Sequence, residues 1–306
     1  MAGKVSHKMF NGKLLLFGEH IINKGAMGLA MPLERYNGVM RFGSLREPAI
    51  RESNTSLNQL AHFIVHNESL TGQYDTNKML EDVEQGLYFD SNIPMGYGLG
   101  SSGALVAAVY HEYRNFKKKT TPVTTIKSQL AELEGHYHGK SSGLDAIVSY
   151  LNKAVLLNNG EVTETFNMPA GKQQTLQLFA IDTHVTRKTS TYVNLFLDKY
   201  REKSFQQTVE KSLAPATNMA IEAFMELRYA DLMKSVKLIS QVQFDLLPEF
   251  IPAKFATAWK EGLSSNQYHL KICGAGGGGF ILGFARADAD LNTLLRGLDV
   301  LTLLKF

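Results

Sequence analysis

Apolar residues recur along the chain at two spacings, and each spacing predicts an element type. Lys13–Phe17 (KLLLF) is a short apolar run bounded by Gly12 and Gly18 and reads as a buried strand. Gly28–Met31, ended by Pro32, and Val39–Phe42 read as further strands of an N-terminal sheet. Ser56–His66 places Leu57, Leu60, Phe63 and Ile64 at helical spacing, and Asn77–Tyr88 does so with Met79, Leu80, Val83 and Leu87. Leu87–Ile93 then turns extended until Pro94 stops it. Ser101–Phe116, with an Ala-rich start and serine caps, predicts a helix, and Thr124–His138 predicts the next. Strands follow at Lys153–Leu157 and Gln174–Ile181, then helices over Tyr192–Glu202, Phe205–Tyr229 and Ala230–Leu246. Leu270–Cys273 and Phe280–Phe284 are apolar strands, while Asn292–Leu304 fits either a helix or a strand. The order predicts a mixed α and β protein in two halves, dividing near residues 160 to 172.

Composition narrows the function classes. With 44% hydrophobic and 20% charged residues, the 306-residue chain can bury a substantial core and is not of disordered type. A net charge of +3 is too mild for a nucleic-acid footprint. The one basic run, Lys117–Lys119, reads as the solvated end of a helix. A lone cysteine, Cys273, excludes an intramolecular disulfide and thiolate-built zinc sites, which fits a reducing cytoplasm. Met1–Lys13 lacks the apolar core of a signal peptide, and no apolar run approaches the roughly 18 residues of a membrane span. The expected partner is a small-molecule substrate, with neither nucleic acid nor membrane, for a cytoplasmic monomer or homodimer.

Glycine distribution carries more information than any of these totals. Nine of the 26 glycines fall within Gly96–Gly103 and Gly274–Gly279. Such density marks backbone that takes unusual dihedrals or approaches a ligand closely. Both clusters nominally satisfy G-x-G-x-x-G, but a dinucleotide fold does not fit: the first lacks an acidic residue at the end of a following strand, and the second runs into strand. A phosphate-binding reading fits better, because N–H groups converging at the start of the Ser101 helix favour an anion. No G-x-x-x-x-G-K-[ST] motif is present.

These residues carry a family resemblance. Ile93–Ala104 (IPMGYGLGSSGA) resembles the central ATP-binding signature of the GHMP kinases, named for galactokinase, homoserine kinase, mevalonate kinase and phosphomevalonate kinase. Gly12–His20 (GKLLLFGEH), followed by Gly25 and Pro32, resembles the family's first motif, and Lys271–Gly279 (KICGAGGGG) its third. Glu134–Asp145 (EGHYHGKSSGLD) looks like the mevalonate kinase segment running from a metal-binding Glu to a catalytic Asp. Considered alone, His136 and His138 read as surface or loop histidines, and Asp145 could equally cap a helix from Ala146 to Leu151. The sequence departs from the family at Asn11, where Pro or a small residue is usual, and at Gly103, where mevalonate kinases usually have Ala.

The resemblance implies a two-lobed α+β GHMP kinase fold. An N-terminal domain like ribosomal protein S5 domain 2 would span residues 1–165, and a ferredoxin-like C-terminal domain 166–306. It implies an enzyme that uses ATP and Mg²⁺ to phosphorylate an alcohol, mevalonate before phosphomevalonate or another small hydroxy acid, or a non-catalytic ATP sensor of the same fold. Asp145 would accept the hydroxyl proton, with Lys13 paired to it. Gly96, Gly98, Leu99, Gly100, Ser101, Ser102 and Gly103 would hold the nucleotide, and Ser102 and Glu134 the metal. Glu19, His20, Arg187, Thr189, Gly276 and Gly277 would serve the substrate. Galactokinases carry an Asp where this chain has Ile22, which argues against a sugar.

Overall fold

A computed structural model describes residues 5–22, 24–115, 121–168 and 174–306; Lys117–Lys119 lie outside the described residues. The chain folds as two compact units interleaved in sequence. The first takes in the described parts of Met1–Lys13, Pro32–Pro94 and Leu99–Lys153, the second those of Leu14–Met31, Met95–Gly98 and Ala154–Phe306.

The elements begin with β1 (Phe10–Phe17) and β2 (Met27–Phe42), then α1 (Pro48–His66), α2 (Thr76–Glu84) and β3 (Leu87–Ser91). The helices α3 (Ser101–Tyr113), α4 (Val123–His138) and α5 (Leu144–Leu151) follow. The strands β4 (Ala154–Asn158) and β5 (Glu161–Phe166) complete a sheet ordered β1-β2-β4-β5, with β3 also on β2. The two strands expected on either side of Pro32 are one. Met27–Ala30 pairs with β4 and Gly38–Phe42 with β3, so Pro32 falls between the two paired segments, where its missing N–H breaks neither of these ladders. In the first unit α3 is buried nearly all round, Ala104, Val106, Ala107, Ala108 and Val109 being inaccessible to solvent, and it packs against α4 and α5. The expected serine caps of α3 are not caps: Gly100, in the left-handed region, occupies the N-cap, and Ser101 begins the helix.

In the second unit β6 (Leu176–Asp182) leads into α6 (Thr189–Lys199), α7 (Lys203–Thr208), a π-turn over Val209–Leu213, and α8 (Ala214–Met225). Pro215 accounts for the π-turn: its ring and missing N–H forbid a normal α-turn onto the residues before it. The long helix expected over Phe205–Tyr229 is thus one helical run from Lys203 to Met225 with a π-turn inside it, and it stops short of Tyr229, where Leu227 takes a φ of 56°. Then come α9 (Tyr229–Leu246), α10 (Ala256–Ser265), β7 (Tyr268–Ile272), β8 (Phe280–Arg286), a short α11 (Leu291–Leu294) and β9 (Asp299–Lys305). The ambiguous C-terminal segment is thus a helical turn followed by a strand. Strand order β7-β8-β6-β9, antiparallel throughout, is that of a ferredoxin-like sheet, and α9 and α10 cover β7. Trp259 of α10 is fully buried, its Nε1 donating to Ser240 O at 3.2 Å. No described helix is long and apolar enough to cross a membrane.

Candidate active site

In the first unit, Lys13, the loop end Leu99–Gly100 and the starts of α3 and α5 assemble around one carboxylate. Gly96, Gly98 and Gly100 have φ of 79°, 73° and 70°, which L side chains rarely adopt. The Leu99 side chain is buried and its carbonyl accepts the Lys13 N–H at 2.8 Å, which ties β1 to the loop. Lys13, expected either as a paired group or as an exposed lysine, is buried, and its Nζ lies 2.7 Å from Asp145 Oδ1. Asp145 does not cap α5: the cap is Gly143, and Asp145 sits in the first turn with its side chain 31% exposed. The unusual Asn11 also acquires a reason here. Its Nδ2 donates to Asn152 Oδ1 at 2.6 Å, and Asn152 is the left-handed C-cap of α5. β1 thereby holds both ends of the helix that carries Asp145.

Gly103 is explained by the same helix. A Cβ there would stand 2.7 Å from Asp145 Cβ and 2.8 Å from Ala146 N, so α5 approaches α3 too closely for alanine. Backbone atoms cannot turn aside. Gly103→Ala is expected to cost about 1–3 kcal/mol and to displace Asp145; a lowered melting temperature together with at least tenfold weaker turnover is the expected reading, and an unchanged enzyme would contradict the packing argument.

Glu134 is buried on α4, hydrogen-bonded by the Ser141 and Ser102 hydroxyls. Burial, and then the negative charge of Asp145, push its carboxyl up to about 7 against the pull of Ser141, Lys13 and Ser102. Ser102 and Glu134 are thus brought together, an all-oxygen pair with a carboxylate whose ionisation a cation would favour, which is the donor chemistry Mg²⁺ takes. His136 packs its ring on Phe63 and Tyr137 and, among the described residues, joins no metal-ligating group; nothing is described of the His138 side chain.

The second unit gathers the remaining residues around the seven-residue connection of the β7–β8 hairpin, Cys273–Gly279. His20, itself at φ 65°, stacks on Phe196 and meets Phe250 edge-on, with Nε2 3.1 Å from Ala275 O. Burial, with a smaller push from Arg187, lowers its pKa to about 4, so the ring is neutral near pH 7 and Nε2 carries the proton donated to Ala275. Arg187 Nε donates to Gly278 O at 3.2 Å, Nη2 to Cys273 O and Nη1 to Thr189 Oγ1, both at 3.4 Å. Its guanidinium fills the space that side chains at Gly98 and Gly274 would take, 2.8 and 2.9 Å from their Cβ positions. Among the described residues no carboxylate forms an ion pair with Arg187. A half-buried cation held only by neutral groups is suited to an anionic ligand.

Gly276, Gly277 and Glu19 are the remaining residues expected to serve the substrate. Gly276 and Gly277 are buried, a Cβ at 277 falling 1.8 Å from the Tyr192 ring and one at 276 falling 2.9 Å from Phe250 Cβ. Glu19 is buried too. Burial pushes its carboxyl up, against the pull of Lys271, whose Nζ lies 2.5 Å away. Sequence reasoning missed Lys271 in this role, although a lysine inside the apolar strand Tyr268–Ile272 was the available signal, since buried lysines are almost always paired. It also missed Tyr97, whose hydroxyl donates to Asp182 Oδ1 at 3.0 Å. Cys273 is a buried, packed residue.

Residues 70–153 match the family model described as the GHMP kinases N terminal domain, a segment that includes Gly96–Gly103, Glu134 and Asp145. No curated protein matches the chain in sequence. Among solved structures it resembles L. major mevalonate kinase in complex with R-mevalonate, at 16% identity and TM-score 0.64 over 97% of this chain and 92% of that one. Streptococcus pneumoniae phosphomevalonate kinase in complex with phosphomevalonate and AMPPNP follows at 14% identity and TM-score 0.63, over 99% of each chain. Lactococcus lactis galactokinase complexed with galactose is similar at 14% identity and TM-score 0.66, over 99% and 94%. At such identities the likeness is one of fold. Residues 70–153 thus match the GHMP kinases N terminal domain, and nearly the whole length of the chain has the fold of these kinase structures.

Proposed function

We propose that this chain is a small-molecule kinase that transfers the γ-phosphoryl group of ATP to an alcohol, with mevalonate as the acceptor. The observation that carries the reading is the Lys13–Asp145 ion pair at the first turn of α5, packed on Gly100 and Gly103. Phosphoryl transfer passes through a loose transition state, so the protein's task is to position donor and acceptor and to balance charge. Asp145 would accept the acceptor's hydroxyl proton, and Lys13 would fix the carboxylate's position and offset charge on the reacting oxygen. The N-terminus of α3, with its glycine loop, is suited to the nucleotide's phosphates. Ser102 and Glu134 would hold Mg²⁺, which supplies charge neutralisation to the phosphates when bound. Arg187 and Thr189 would take an acidic group of the acceptor. Ile22, where a sugar kinase has its acid, packs on Gly18 and Gly28 and offers no polar group to a sugar.

Mevalonate-dependent consumption of ATP, giving product phosphorylated on the primary hydroxyl, tests the reading. A second expectation follows from Glu134. Its folded-state pKa, about 7, lies above the ordinary 4.5, so its protonated form contributes stability that is present below pH 4.5 and lost as pH rises through 7. A metal must displace that proton. Apparent Mg²⁺ affinity should therefore rise about tenfold per pH unit up to pH 7 and level off above, with proton release seen by calorimetry in buffers of different ionisation enthalpy. Glu134→Gln should abolish the proton release; a wild-type affinity independent of pH would contradict the metal assignment.

A further inference from the structure

Lys271 stands in β7 with its side chain 1% exposed, opposite Glu19 at 4%. Its ammonium meets Glu19 Oε1 at 2.5 Å and Ile272 O at 2.6 Å, beside the Phe17 ring at 5.6 Å. The Glu19 carboxylate also accepts the Gly274 N–H, and the next residue, His20, binds Ala275 O. Two consecutive residues after β1 thus grip the first two residues of the Gly274–Gly279 loop. Gly274, Gly276, Gly277 and Gly279 all have positive φ, so the loop has little local preference for one path and takes it from such bonds. Arg187 is bonded to Cys273 O and Gly278 O, at the two ends of that loop.

We infer that Lys271 and Glu19 form a positioning pair that fixes the path of the Gly274–Gly279 loop and, through it, the guanidinium of Arg187. The second half of the inference rests on the function proposed above, in which Arg187 binds the acceptor's anion.

The test compares Glu19→Gln, Lys271→Met and the double variant. Each single change leaves a buried group without its partner and should lower the melting temperature, and the double should recover most of that loss. Filling space alone would then leave the double variant like wild type. The expected result is amide exchange at Gly274–Gly279 at least about tenfold faster in the double variant, and a mevalonate KM raised about tenfold with nucleotide affinity unchanged. Wild-type exchange rates would overturn the inference, and faster exchange with an unchanged KM would overturn its link to Arg187. If wild type turns over no acceptor, the proposed function fails while the exchange measurement still decides the pair. Glu19→Gln alone, which keeps an acceptor for the Gly274 N–H, supplies the same readouts should the double variant not fold.

Discussion

Asp145→Asn should lower turnover about a thousandfold, roughly 4 kcal/mol of transition-state stabilisation, while leaving nucleotide affinity nearly unchanged. Asparagine has the same shape, so the close approach of α5 to Gly100 and Gly103 survives, and Asp145 does not cap its helix, so no cap is lost. What disappears is the carboxylate paired with Lys13, which in the proposed reaction takes the acceptor's proton. Melting temperature separates the two explanations for a dead variant. A folded, nucleotide-binding, inactive Asp145→Asn protein supports the assignment, and a folded one with intact turnover over a panel of acceptors would remove it.

Lys13→Met should reduce kcat at least about a hundredfold with nucleotide affinity held within a few-fold. Methionine fills the buried lysine stem and keeps the strand. The Lys13 backbone N–H still bonds Leu99 O, so the glycine loop stays attached to β1. The loss is electrostatic: Asp145 keeps its acidic neighbour Glu134 and loses its cation. The separation of kcat from nucleotide affinity is the discriminating feature. Equal loss of both would place Lys13 on the nucleotide instead of beside the acceptor.

Much of this arrangement is legible in the sequence because it is carried by compact runs. Lys13 sits in KLLLF between two glycines, Asp145 closes a serine- and glycine-rich segment, and the two glycine clusters announce loops whose dihedrals L side chains rarely adopt. The strands around the second cluster are apolar and short, and they are where the pattern puts them. What fails to show is what long-range partners decide. Pro32 ends a strand by local rule, yet β2 runs through it because its paired segments lie to either side. β5 (EVTETF) has no apolar run to betray it, being a largely exposed strand paired to β4. Ser101 and Ser102 look like caps, but Gly100 takes the left-handed cap and frees Ser102 to reach Glu134. The partner of Glu19, Lys271, lies 252 residues away, and no local pattern announces the pair. Asn11 and Gly103, which stand out as departures from the family, become intelligible only when α5 is set against β1 and α3.

Phosphoryl transfer to an acidic alcohol is tested most directly by incubating the purified chain with ATP and Mg²⁺ and, separately, mevalonate, phosphomevalonate, homoserine and galactose, and following the phosphorus NMR spectrum. A new phosphomonoester resonance with mevalonate, growing as ADP appears and absent with galactose, is the predicted result. Nucleotide bound tightly and left intact with every acceptor would contradict the claim and mark the chain as a binding protein built on a kinase fold.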